Sequence, residues 1–94
     1  MAVGIVKIEI HLPGCASLKE KRRRLKPLLA RLQREFNISA SELDHLDVWQ
    51  SALLGCAMIG NDSRRIQSKM AGIVRWVETR WPDVTVVAEA FEIL

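Results

Sequence analysis

Twice in 94 residues a run of β character passes into a long amphipathic helix, and the helix passes into a second β run. That order, strand–helix–strand followed by strand–helix–strand, restricts the fold more than any single motif. Ala2–Gly14 reads AVGIVKIEIHLPG and alternates. Val6, Ile8, Ile10 and Leu12 point one way, and Ile5, Lys7, Glu9 and His11 the other, as in a strand with one face buried. Pro13-Gly14 stops it. Ser17 and Glu20 form an S-x-x-E capping box at the start of a helix. Its Leu18, Leu25, Leu28, Leu29, Leu32 and Phe36 fall on one stripe. Pro27 removes one backbone donor inside this helix and is expected to kink it. Asn37 is expected to close it in the left-handed conformation.

The second half repeats the plan. ISASELDH, from Ile38, is a weaker strand with an edge-like mixture of Ser, Glu and Asp. LDVWQ reads as a turn or bulge, and SALLGCAMIG, apolar on both faces, as a central strand. Asn61-Asp62 stops that strand and caps a second helix. Ile66, Met70, Ile73, Val74, Val77 and Trp81 share one face of this helix, with Trp76 at its margin, and Pro82 ends it. VTVVAEAFEIL is the last strand. Right-handed crossovers then predict an α+β, ferredoxin-like split βαβ fold. It has a four-stranded antiparallel sheet, the first and third strands central, and both helices on one face. One domain over residues 1–94 is expected, since a chain of this length supplies one modest core.

The apolar runs are too short for a membrane helix. No charged segment precedes the first of them, so a mature N-terminus and a cytoplasmic protein are expected. Cys15 and Cys56 form no C-x-x-C pair, and no His or Cys stands at zinc-finger spacing. Two reduced thiols are expected, one in a loop and one in the core, with no metal and no cofactor. Cys15, just before a helix N-terminus and four residues after His11, is the thiol to test for reactivity.

The net charge of +3 conceals a division. Leu18–Phe36 holds eight basic and two acidic residues, and Ser63–Trp81 holds five and one, so the helices together carry +10. The remainder has one Lys and eight acids, or −7. With both helices on one side, the molecule gains a basic helical side that attracts polyanions in a salt-dependent way. Outer helix faces are polar in any two-layer domain, and Lys and Arg are good helix formers. Basic residues in a first helical turn, however, oppose the macrodipole. Within Ser17–Lys26 the helical wheel separates two groups. Lys21 and Arg22 lie at the margins of the apolar stripe, with Asp44 or Asp47 of the middle turn as expected ion-pair partners. Lys19, Arg23, Lys26 and Arg34 point outward and are the candidate phosphate contacts. Arg24 joins them as charge with no evident structural use.

Ser17-Leu18-Lys19-Glu20-Lys21-Arg22, Phe36-Asn37 followed by Glu42, Asp47-x-Trp49, and Asn61-Asp62 stand together with the opening VGIVKIEIHLPG. This combination, covering nearly the whole chain, resembles the small bacterial YlxP-like family, also called DUF503. The resemblance implies a ferredoxin-like fold and, because such members are often encoded beside translation and ribosome-maturation genes, an RNA-linked role. It brings no catalytic residue set. Several landmarks have structural uses: Ser17, Glu20 and Asp62 cap helices, and Phe36 fills the core. Trp49 either covers an end of the core or anchors a partner.

Three function classes follow. The first is a non-enzymatic module for ribosomal or other structured RNA, using the basic helical side. Base stacking on the sheet is disfavoured, because the two central strands hold no aromatic residue. The second is an interaction module that homodimerises through its sheet, without nucleic-acid binding. The third is an enzyme. Acylphosphatases share this layout and hold phosphate in the loop after the first strand, but here that loop, HLPGCAS, has no Arg. His11, Cys15, Asp47 and Asn61 are the groups to test for catalysis.

Overall fold

A computed structural model describes all residues, 1–94. The elements are β1 (Ala2–His11), α1 (Leu18–Phe36), β2 (Ser39–Asp44), β3 (Ser51–Gly60), α2 (Ser63–Arg80) and β4 (Thr85–Ile93). The sheet order is β2-β3-β1-β4 with every neighbour antiparallel, a ferredoxin-like α+β arrangement. β1 pairs with β3 along its whole length, from Ala2 opposite Gly60 to His11 opposite Ser51. β4 pairs with the other side of β1, with an irregularity between Glu9 and Ile10. The two central strands are thus the ones with the cleanest apolar content, and the polar-rich β2 takes an edge.

Alternation decides which side of the sheet is buried. Val6, Ile8 and Ile10 stand beside Cys56, Leu54 and Ala52 and are sealed beneath the helices. α1 adds Leu25, Leu28 and Leu32; α2 adds Ile66, Met70, Ile73, Val74 and Val77. Each such side chain stabilises the fold by about 1.5–3 kcal/mol relative to exposure. Gly4 permits a close approach of α2, since a Cβ there would collide with the Ile66 side chain. Phe36 stands edge-on to Trp76, which stacks on Trp81 at 5.8 Å, so three partly buried rings close the seam between the helices.

The helix ends follow from local chemistry. Ser17 Oγ accepts the Glu20 N–H at 3.1 Å, and Glu20 Oε2 reaches back to the N–H of Ala16 at 3.0 Å. The reciprocal half of the capping box therefore lands one residue earlier than its usual target. Asn37 ends α1 at φ 52°. Asp62 caps α2 by accepting the Arg64 N–H at 3.0 Å. α1 runs as one helix through Pro27, whose position faces solvent. No helix is long and apolar enough to cross a membrane.

Both cysteines are buried and free. Cys15 lies in the β1–α1 loop, as expected, but is fully enclosed, with Sγ 3.5 Å from the Ser17 carbonyl. Cys56 sits in β3, where burial pushes its thiol up to about 11.

Candidate nucleic-acid interface

Successive residues of an α-helix advance by about 100°, so the side chains of α1 can be placed around its axis. Lys21, Leu25, Leu28 and Leu32 define the inward direction. Lys19, Arg23, Lys26 and Arg34 fall within roughly 80° of one another, on the side directly opposite. All four are exposed, and none belongs to an ion pair. Arg22, also exposed and unpaired, flanks this stripe on the β2 side. On α2, Arg64, Arg75 and Arg80 add exposed cations without a carboxylate partner, whereas Arg65 lies 3.9 Å from Asp62.

Three acids lie on this layer, and one of them, Glu78 of α2, is exposed and unpaired. Glu20 is occupied at the helix cap, and Glu35 pairs with Arg31 at 3.3 Å. The Arg31 guanidinium also lies 5.8 Å from the centre of the Trp76 ring, a cation–π geometry that anchors it over the aromatic seam. Arg31 is thus engaged within the chain, while Lys19, Arg23, Lys26 and Arg34 have no ion-pair partner.

Two members of the basic cluster have structural assignments, and both correct the sequence expectation. Lys21 is buried to 1 % exposure. Its Nζ donates to the carbonyls of His45 at 2.6 Å and Val48 at 2.7 Å, and lies 2.7 Å from Glu42 Oε2. The two carbonyls take two of the three ammonium protons, and the carboxylate beside them supplies the opposite charge. Glu42 Oε2 is itself buried and has no hydrogen-bond partner, so the ion pair with Lys21 is what compensates its charge. The acidic partner is therefore Glu42, not Asp47 or Asp44. Asp47 is exposed and unpaired, and Asp44 caps the turn by accepting the His45 N–H at 2.8 Å. Glu42 stands opposite Leu54 in the β2–β3 register, which turns it towards the helices. A bulge follows immediately, so the turn acids lose that direction.

Arg24 is the second correction. Its guanidinium donates to the Pro13 carbonyl at 3.0 Å and the Asp83 carbonyl at 2.6 Å, with Asp83 Oδ2 3.5 Å from Nε. It ties the β1–α1 loop to the α2–β4 loop and is not surplus charge.

The loop pinned by Lys21 carries Trp49, half-exposed beside exposed Leu46 and Val48. His45 enters the loop at φ 63°, which aims its carbonyl at Lys21, and its ring Nε2 lies 3.5 Å from Glu9 Oε2. The residues considered for catalysis are not brought together. Cys15 is sealed, and His11 and Asn61 stand at opposite ends of the β1–β3 ladder, roughly 30 Å apart at about 3.4 Å per residue.

The comparisons with known proteins agree with the fold. The chain resembles, at 10% identity and a TM-score of 0.55, part of a VAO-type flavoprotein from Myceliophthora thermophila C1. That similarity covers 99% of this chain and 18% of the flavoprotein, and it concerns the fold alone. An uncharacterized protein, YlxP of Bacillus subtilis (strain 168), is 29% identical over 82 residues, spanning 87% of this chain and 88% of its own length. A family model described as a protein of unknown function, DUF503, matches residues 3–90, which take in both helices, the capping residues and the Lys21–Glu42 pair. With nearly all of its length matched and the family's landmark residues in defined structural places, the chain belongs to the DUF503 family.

Proposed function

We propose that the protein is a non-enzymatic binding module for structured RNA, with its helical layer turned towards the phosphates. One observation carries this reading: Lys19, Arg23, Lys26 and Arg34 form an exposed, unpaired cationic stripe diametrically opposite the core. Charge with no intramolecular partner, aligned on one helix face, suits contact with a regular array of phosphates. The mode is backbone recognition. Ribosomal RNA is the first target class to test, given the expected link to translation, and a cytoplasmic setting goes with it. The quadruple reversal of Lys19, Arg23, Lys26 and Arg34 to Glu is expected to abolish binding to a structured ribosomal RNA fragment, as read by fluorescence anisotropy at low salt. Wild-type affinity in that variant removes the proposal.

The bare side of the sheet favours a second, compatible reading, in which the module homodimerises through that side. Val3, Ile5, Ala57, Ile59 and Leu94 gather at one end of it, and Ile59 is 70 % exposed. Sedimentation over a concentration series reads this association directly, and a chain that remains monomeric throughout excludes it.

A further inference from the structure

We infer that the open sheet face pairs with a second copy of this chain through two reciprocal Lys7–Glu92 ion pairs. This rests on the second reading above and specifies it. The helical side of the sheet is covered; the opposite side is not, and its side chains come from the alternate positions of β1, β3 and β4. Lys7 lies near the middle of that face. It is the one basic residue of the chain outside the helices. Its neighbours across both strands are Gly55, over which the Leu43 side chain lies, and Ala90, and Lys7 itself is exposed.

Three carboxylates share the face; Asp44, opposite Leu53 at its far edge, accepts the His45 N–H. Glu9 lies 3.5 Å from His45 Nε2 within the same chain. Glu92, exposed and opposite Ile5, has no ion-pair partner, and neither does Lys7. An open cation and an open anion thus stand one diagonal step apart on one surface. A two-fold rotation that lays this face on its own copy and brings Lys7 to the partner copy's Glu92 must also bring Glu92 to the partner copy's Lys7. Ile5, directly across from Glu92 and two residues from Lys7, then falls close to the axis and meets its own copy. The apolar end packs around it, and the charges set the register.

The area fits a small interface. Four strands about 4.8 Å apart, of ten, six, ten and nine residues at about 3.4 Å each, outline roughly 570 Å² per chain before side-chain relief is counted. A standard interface takes about 800 Å² per partner, so a dimer of modest size is expected. The charge match distinguishes a second copy from other occupants, since the face supplies both halves of the pair.

The test is a charge swap followed by sedimentation equilibrium from micromolar to millimolar concentration. The wild type is expected to approach twice the mass of one chain. Lys7→Glu and Glu92→Lys are each expected to weaken dimerisation at least tenfold, and the double variant to recover most of the loss. Both positions are exposed, and unchanged far-ultraviolet circular dichroism verifies folding. A wild type that dimerises equally well with either single change overturns the ion pairs and leaves sheet association standing. Singles that dissociate without recovery in the double overturn the reciprocal geometry. A wild type that is monomeric at every concentration removes sheet association and this inference together.

Discussion

Lys21 is the most constrained side chain in the molecule. A buried ammonium is tolerated only when it is hydrogen-bonded and its charge is paired; here two carbonyls accept its protons and the Glu42 carboxylate balances its charge. Removing it strands Glu42 and two carbonyls without their donor. Lys21→Met is expected to lower the unfolding free energy by about 3–5 kcal/mol in urea denaturation, the range for breaking a buried pair. Lys21→Met combined with Glu42→Leu is expected to recover part of that loss, because no charge then remains buried. Cys56 gives a pH-dependent counterpart. Its thiol is raised from 9.0 to about 11 by burial, so between those values the unfolded chain gives up a proton that the folded chain keeps. The folded state holds this advantage below pH 9 and loses it as pH rises towards 11. Stability measured across pH 8–11 is expected to fall less steeply in Cys56→Ala than in the wild type. Parity along β2 does point Glu42 inward, but its contest with the turn acids was decided by a bulge that has no sequence signature. Arg24 was harder still to read, since two of its acceptors are backbone carbonyls, which every residue offers.

At the scale of elements, strands and helices were legible because their causes are local. Alternation along β1 selects the buried face residue by residue, and Ser17, Asn37 and Asp62 each mark a helix end through their own hydrogen-bonding or backbone preference. Asn37→Gly is expected to leave stability within a few tenths of a kcal/mol. Asn37→Val is expected to lower it by about 1–2 kcal/mol, because a β-branched residue resists the left-handed region. Thermal denaturation of the two variants compares them. Packing between elements sets a separate constraint at Gly4. Its missing Cβ makes room for Ile66, so Gly4→Ala is expected to cost about 1–3 kcal/mol by overpacking, with no change in secondary structure by circular dichroism. That tight contact had no signal in the sequence, where Gly4 merely dilutes a strand.

For the whole molecule the deciding property is which charges remain after structural uses are subtracted. Lys21, Arg24 and Arg31 are engaged; Lys19, Arg23, Lys26 and Arg34 are not. The composition of the cluster was readable from the start, but this subtraction required three-dimensional partners. For RNA binding, each cation in contact with a phosphate contributes a released counterion. Single substitutions of Lys19, Arg23, Lys26 and Arg34 by Ala are each expected to reduce the steepness of log affinity against log salt by somewhat less than one. Arg24→Ala is expected to leave that slope unchanged while lowering thermal stability. A slope insensitive to all four stripe positions sinks the assignment of the stripe.

Both helices lie on one side of the sheet, and that has a consequence for valence. A single copy offers one cationic plate. Two copies joined by their sheets would carry these plates on opposite outer surfaces, facing away from each other. With the short dimensions of each chain at 23 and 21 Å, the plates would be separated by roughly the combined thickness of two domains. One RNA helix cannot touch both without bending around the pair, so the dimer would act as a tie between two helices. Its grip on a folded RNA that presents two helices at that spacing would exceed its grip on either alone through avidity, and would fall with protein dilution even when RNA is in excess.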